Sequence, residues 1–444
     1  MMRIHIHPIF LSFALVTLTT ILPPPAATSF SCPPPRPPPQ PPNLTPEAFH
    51  RCLNRRPESS AGISFSTIYA PTINRTSFSS LLNSTAQNLR CLSPSIPKPF
   101  LIFTPLHESH VSPAVTCARD LRLDLRVRSG GHDYECLSYI SLLSHRPPFV
   151  LLDLQHLRHV SVDVATRTAW VQSGATVGEL YYHVAEASRG TLAFPAGLYG
   201  SVGIGGHITV FLGKRDELLR VMRRSFPELG LDESECAEMT WIESVVFTGG
   251  YPNGTKPEYL LTGKPAFVNA FKAKSDFPRG NVPVEGLEQL VDFHRQGFSL
   301  LTIWNPFGGV MASAGEEDTP YPHRKVQGMI QYVVSWSDAE SLETEAKNME
   351  FMRRVYGTMG RYIPSGGRAR EAYVNYKDLD IGRSSTNCDD SNCSCPYLWG
   401  PKYYLSNFDR LIRVKAEVDP CNFFRFEQSI PVSMSSERQC LKLI

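Results

Sequence analysis

Residues 149–153, Phe-Val-Leu-Leu-Asp, form an uninterrupted apolar run. A strand of that kind is shielded from water on both faces, so it needs strands beside it and helices above and below. The flanking text supplies them. Residues 100–104 read as a strand, Ser112-Pro113 opens a helix to about Leu121, and residues 124–128 alternate as a further strand. Residues 168–172 read as another. Thr176-Val-Gly-Glu179 is a capping box for a helix whose apolar side carries Leu180, Val184 and Ala187. Folded structure is expected to start at Thr45, a helix cap followed by Pro46, with Phe49, Cys52 and Leu53 on one helix face. Such β–α alternation puts ligand sites at strand ends and helix N-termini.

The strand at 124–128 runs into Arg128-Ser129-Gly130-Gly131-His132. Adjacent glycines permit positive φ and bring amides close to a bound group with no Cβ between. Arg128 and Ser129 add charge and a hydroxyl, as a phosphate or flavin edge requires. Taken alone, the same residues also make an ordinary strand-ending turn with a surface histidine. A second stretch places Gly197, Gly200, Gly203, Gly205 and Gly206 ahead of His207. It reads either as a glycine-rich hairpin or as backbone lying along an extended ligand. Two Gly-Gly-His loops in one domain favour the ligand.

Beyond Gly213 the texture changes. Residues 215–224 form a charged amphipathic helix, and residues 329–336 a strand with alternating burial. Ser337-Asp-Ala-Glu340 reads as a capping box for a helix to about Tyr356, with Leu342, Ala346, Met349 and Val355 on its buried side. A last helix covers residues 407–417. This part reads as a second, substrate-facing domain.

A net charge of +2 leaves no basic excess for nucleic acid. Residues 9–22 are apolar, uncharged, short for a membrane span and followed by small residues, so residues 1–29 read as a cleaved secretory signal, with a signal anchor as the alternative. Residues 30–44, rich in proline, form an extended spacer, open to a cell-wall contact. Export makes the 11 cysteines disulfide candidates first and metal ligands second. Cys388, Cys393 and Cys395 match no common zinc spacing, and no metal is expected. Sequons at Asn43, Asn74, Asn83 and Asn253 agree with a glycosylated extracellular protein, in the wall or the vacuole as alternatives.

Several motifs occur in a fixed order: RSGGHDYE (128–135), FPAGL (194–198), VGIGGH (202–207), NPFGG (305–309), YVNYKDLDIG (373–382) and NFDRLIRVKAEVDPCNFFRFEQSIP (407–431). Together they resemble the plant berberine bridge enzyme-like proteins, secreted FAD-linked oxidases, from about residue 45 to 431 with one interruption. The resemblance implies an α+β fold: a two-lobed PCMH-type (vanillyl-alcohol-oxidase-like) FAD-binding domain over 45–207, then a substrate domain with a helix-covered antiparallel sheet over 208–370. Residues 371–444 would return to the FAD domain. It implies covalent attachment of FAD at His132, with Arg128, Ser129, Gly130, Gly131 and the loop from Gly197 to His207 holding the pyrophosphate and ring. Tyr376 would be the catalytic base in hydride removal from a small-molecule substrate, with molecular oxygen as acceptor. Read from the residues alone, Tyr376 is better taken as a core aromatic with a satisfied hydroxyl. Cys52 and Cys91 would form a disulfide.

The chain departs from the family pattern in three places. Tyr199 replaces the cysteine that makes a second flavin bond, so any tether is single. Cys136 replaces a glycine. After His207 a domain-sized stretch is missing, which leaves the FAD domain incomplete. An inactive secreted relic of the family is the alternative to an enzyme.

Overall fold

The computed structural model describes residues 2–5, 7–8, 44–57, 62–142, 148–194, 213–225, 227, 230–264, 267–337, 341–384 and 396–433. In chain order the first elements are β1 (Met2–His5), β2 (His7–Pro8), α1 (Pro46–Asn54), β3 (Ile68–Tyr69), α2 (Arg75–Asn83), β4 (Leu101–Phe103), α3 (Val111–Asp120), β5 (Asp124–Arg128) and β6 (Phe149–Asp153). Next come β7 (Val160–Asp163), β8 (Thr168–Val171), α4 (Val177–Ser188), β9 (Leu192–Ala193), α5 (Arg215–Ser225) and α6 (Trp241–Thr248). The last are β10 (Ala270–Asp276), α7 (Val284–His294), β11 (Ser299–Pro306), β12 (Gly328–Trp336), α8 (Leu342–Met359), α9 (Pro396–Tyr404) and α10 (Asn407–Val418). The fold is α+β. The chain divides into a smaller unit, residues 1–18 and 158–267, and a larger one, residues 19–157 and 268–444.

In the larger unit, β6 is buried at every position and pairs in parallel with β4 and β5; β3 adds antiparallel to β4. Alternate residues point to opposite faces. Leu101, Phe103, Val150 and Leu152 meet Phe49 and Leu53 of α1 and Ala114 and Ala118 of α3 on one side. On the other, Ile102 and Leu151 meet Phe78 and Leu82 of α2 and the Cys136–Ile140 segment. This geometry corrects the expected Cys52–Cys91 pair. Cys52 bonds Cys117, joining α1 to α3 across 5.8 Å between Cα atoms. Cys91 lies on the opposite face of the sheet and bonds Cys136. A 52–91 bridge would have to pass through the sheet. Cys421 is also disulfide-bonded.

The second sheet of this unit is antiparallel, in the order β10-β12-β11. One face packs Ala270, Ile330, Tyr332 and Val334 under Met349, Met352 and Val355 of α8 and Leu290 and Phe293 of α7. The cap of α8 is Ser341, whose Oγ accepts the Thr344 amide, and not Ser337; residues 338–340 lie outside the described residues. Met349 and Val355 are buried as expected, but Leu342 is 76% exposed because the first turns of α8 line an open groove.

In the smaller unit, β8 pairs antiparallel with β7 and β1, and β9 with β2. The capping box of Thr176 and Glu179 is present on α4. Leu180 and Val184 pack on Ala169 and Leu192, while Ala185 and Ser188, not Ala187, complete the buried side. Residues 213–267 fall in this unit and not with a substrate domain beginning at 208, because Trp241 packs edge-on against Tyr181 and Leu260 closes on Gly178. Residues 2–5 and 7–8 of the expected signal form β1 and β2, whereas residues 1, 6 and 9–29 and the spacer to residue 43 lie outside the described residues. No helix among the described residues is long and apolar enough to cross a membrane.

The Cys52–Cys117 bond closes a loop with sequence separation 65. Chain-entropy arguments value a loop of that size at about 4 kcal/mol. Cys52→Ser is therefore expected to lower the free energy of unfolding by about 4 kcal/mol in chemical unfolding, with a larger m-value because the denatured chain without the cross-link exposes more surface.

Candidate functional site

Strand β5 ends at Arg128, and the chain turns through Ser129, Gly130 and Gly131. Gly131 has φ +74°, and a Cβ there would meet Thr85 Oγ1 at 2.2 Å, so only glycine fits. Gly130 differs: a Cβ would find only His132 Cδ2, at 3.6 Å. Among the described residues no acceptor meets the amides of Gly130 or Gly131. Two bare N–H groups at a strand end, with an open side at Gly130, suit an anionic group. Beside them burial pushes the His132 pKa down to about 4, which keeps the ring neutral. The residues present fit a flavin nucleotide.

Arg128 does not take the role expected of it. Its side chain is fully buried, with Nε donating to Asp153 Oδ2 at 2.9 Å and the Nη atoms to the Leu82 and Leu81 carbonyls at 2.7 and 2.9 Å. The guanidinium also lies over the Tyr139 ring. An arginine committed inward in this way ties β5 to β6 and α2 and has no fork left for a pyrophosphate.

After His132 the side chains diverge in direction. Asp133 Oδ1 accepts the Glu135 and Leu137 amides at 2.9 and 3.2 Å, closing the turn. Tyr134 turns to the face of the second sheet opposite α8: its ring stands edge-on to Phe271, and its hydroxyl accepts from Gln331 Nε2 at 3.1 Å. Glu135 turns into a buried ionic network. Lys272 and Lys274 of β10, each 2% exposed, meet it from the strand side. Lys272 Nζ pairs with Glu135 and, at 2.7 Å, with Asp378; Lys274 Nζ pairs with Asp378 at 2.7 Å and Asp380 at 2.9 Å. Arg353 of α8 closes the network on Asp380 at 2.9 Å. Burial works against the Lys272 ammonium, but the Glu135, Asp378 and Asp380 carboxylates outweigh it and hold its pKa above the ordinary value.

This network joins the 128–135 motif to the 373–382 motif. Tyr376 therefore stacks on Tyr134, with 5.4 Å between centroids and 8° between planes. Tyr373 stands edge-on to Tyr376 at 5.0 Å, its hydroxyl accepting from Asn375 and its amide donating to Ser275 Oγ at 2.8 Å. Burial, then Tyr134 and Tyr373, raise the Tyr376 pKa above the usual tyrosine value. Lys377 is no help to it. Its Nζ lies over the Phe426 and Tyr403 rings at 5.1 and 5.6 Å, and burial, opposed by the Asp133 carboxylate, lowers its pKa. Sequence reasoning missed Gln331, although it is the one amide in the apolar run 328–336. It also missed Glu135, Lys272, Lys274 and Asp378, whose signal was two lysines at alternate positions of a fully buried strand.

Gly197, Gly200, Gly203, Gly205, Gly206, His207 and Tyr199 lie outside the described residues, as do Asn43, Cys388, Cys393 and Cys395. Asn74, Asn83 and Asn253 are exposed. Asn74 caps α2 through Oδ1.

Residues 99–217 match the family described as FAD binding domain, and residues 372–431 that described as Berberine and berberine like. Berberine bridge enzyme-like 26 of Arabidopsis thaliana is 37% identical over 495 residues, which cover 83% of this chain and 90% of that protein. Monolignol oxidoreductase AtBBE-like 13 of the same plant is 36% identical over 496, with the same coverage. Among solved structures, Phl p 4, a grass pollen allergen with glucose dehydrogenase activity, superposes with a TM-score of 0.75 at 30% identity, covering 86% of this chain and 99% of that one. An alignment 495 positions long that takes in 83% of 444 residues leaves a domain-sized part of the relative without a counterpart here.

Lys272→Met removes the cation between two buried carboxylates, and is expected to cost about 3–5 kcal/mol in chemical unfolding. A second expectation concerns acid. Burial opposes ionisation of Asp380, but hydrogen bonding from Arg353 and the Lys272 and Lys274 charges prevail, so its folded pKa is depressed. Its stabilising contribution is present above the unfolded aspartate pKa of about 4 and lost as pH falls below it. Asp380→Asn should thus be less stable than the wild type near neutrality and show a flatter acid limb in stability against pH.

Proposed function

Because the chain belongs to the berberine bridge enzyme-like family of FAD-linked oxidoreductases, we propose that it is a secreted flavin oxidase or dehydrogenase. Its substrate is a small molecule with an alcohol, phenol, saccharide or alkaloid-type C–H bond. Molecular oxygen is the acceptor. The observation that carries this function is the stacking of Tyr376 on Tyr134, two residues from His132. Bound FAD supplies the two-electron acceptor. The chain's own residues do the rest. The Gly130 and Gly131 amides would hold an anionic edge of the flavin nucleotide, and His132 would hold the ring through a single covalent tether, Tyr199 having no thiolate to make a second.

Tyr376 holds its proton at neutral pH in this environment, since burial and two neighbouring phenols disfavour a phenolate. It orients the substrate hydroxyl by hydrogen bonding, and it serves as base for the hydroxyl proton only after passing its own proton to solvent, so hydride removal should speed up as pH rises. Gln331 holds the Tyr134 hydroxyl and thereby the ring beneath Tyr376. The glucose dehydrogenase activity named for Phl p 4 and the monolignol oxidoreductase among the relatives support a sugar or a phenylpropanoid alcohol as the first substrates to test. An inactive relic is the second reading, favoured by the domain-sized stretch of the relatives that has no counterpart here.

Flavin absorbance of the purified protein, measured before and after acid precipitation, separates the two: the enzyme keeps yellow colour in the pellet and the relic has none. His132→Ala should release all flavin to the acid supernatant, and flavin retained in the pellet would refute the tether. Tyr376→Phe should slow flavin bleaching by substrate about 10²–10⁴-fold while leaving flavin content unchanged.

A further inference from the structure

Three residues of one short segment hold three consecutive residues of the His132 loop. Asn88 Nδ2 donates to the Tyr134 carbonyl at 2.9 Å and to Phe271 O at 3.0 Å, while Asn88 Oδ1 accepts the Phe271 amide at 3.2 Å. Arg90 lies 3.9 Å from Glu135 and donates to Glu345 at 2.9 Å and to Phe271 O at 3.3 Å. Cys91 is covalently bonded to Cys136. Segment 88–91 is thus splinted along 134–136, by a hydrogen bond, an ion pair and a disulfide in turn.

Cys136 is the node of its own turn. Its amide donates to Asp133 O at 2.9 Å, and its carbonyl accepts from Tyr139 and Ile140 at 2.9 and 3.0 Å. Its φ is +62°, a region that a side chain disfavours and glycine occupies freely. Cysteine here bears a backbone cost, and the contact that accompanies it is the bond to Cys91. Both cysteines are buried, at 0% and 4% exposure, inside the cluster of Phe78, Leu82, Ile102 and Leu151. Solvent thiols do not reach such a bond in the folded protein, so it is a fixed part and not a labile switch.

We propose that the Cys91–Cys136 disulfide is a positioning element of the flavin site, which fixes the loop from Ser129 to Cys136 so that His132 and Tyr134 keep their places. This rests on the flavin reading given above. Closing the bond converts two thiols to a disulfide and passes two electrons and two protons to a disulfide oxidant of the export compartment, itself reduced to a dithiol. Flavin attachment in this chain is then coupled to oxidative folding.

Cys136→Gly tests the idea most directly, because glycine takes the positive φ without strain and only the covalent bond is lost. Peptide mapping of the unreduced wild-type protein should find Cys91 and Cys136 linked. In Cys136→Gly and in Cys91→Ser, hydrogen exchange of the 129–137 amides should accelerate at least ten-fold, and the acid-stable flavin fraction should fall several-fold. Cys52→Ser, which opens the disulfide on the other face of the sheet, should lower stability yet leave both readouts at wild-type values. Unlinked cysteines in the wild type would overturn the proposal. So would wild-type exchange in Cys136→Gly, or an equal flavin loss in Cys52→Ser. If the wild type carries no flavin, the flavin reading fails and the exchange rates alone decide the splint.

Discussion

Two lysine ammonium groups inside a fully buried strand cannot stand without carboxylates, and the candidate site is organised around meeting that demand. Lys272 and Lys274 draw Glu135 from one motif and Asp378 and Asp380 from another, more than two hundred residues later, to the edge of β10. Removing one member leaves the others charged and desolvated, so the pieces are retained or lost together. The network gains little over an apolar core of equal volume. What it supplies is register, because the charges pair in only one arrangement of the two loops.

From that register the aromatic side of the site follows. With Glu135 turned to the lysines, Tyr134 points to the other side of the turn and meets Phe271, Gln331 and Tyr376. With Asp378 held, Tyr376 and Tyr373 are presented two and five residues earlier. The tyrosines are poised for hydrogen bonding and not ionised, since burial outweighs any nearby cation. Lys377, adjacent in sequence, spends its charge over Phe426 and Tyr403. Proton transfer at Tyr376 therefore depends on what the substrate brings.

Much of the scaffold was readable beforehand where local rules dominate. The run 149–153 is the central parallel strand, the Thr176 box caps α4, and Thr45 caps α1, each because the deciding contacts lie within one turn or one strand. Local signals failed where distant parts compete. The box at 337–340 lost to Ser341, and Leu342 faces a groove. Arg128 looked like a ligand group beside two glycines, yet Asp153 and the end of α2 claim it. Cys52 and Cys91 were paired by resemblance, but the sheet stands between them.

The sequence by itself determined the membership of this chain in a flavin-linked family, the freedom of the Gly130-Gly131 turn to take positive φ, and the candidacy of His132 and Tyr376. These rest on motifs and on backbone chemistry that a short stretch carries within it. Only the tertiary structure decided which cysteines meet, which charges are neutralised, and that Tyr134 and Gln331 belong with Tyr376. Those facts depend on which face of a sheet each residue occupies and on what is buried opposite it, and such long-range packing is not encoded in any one segment.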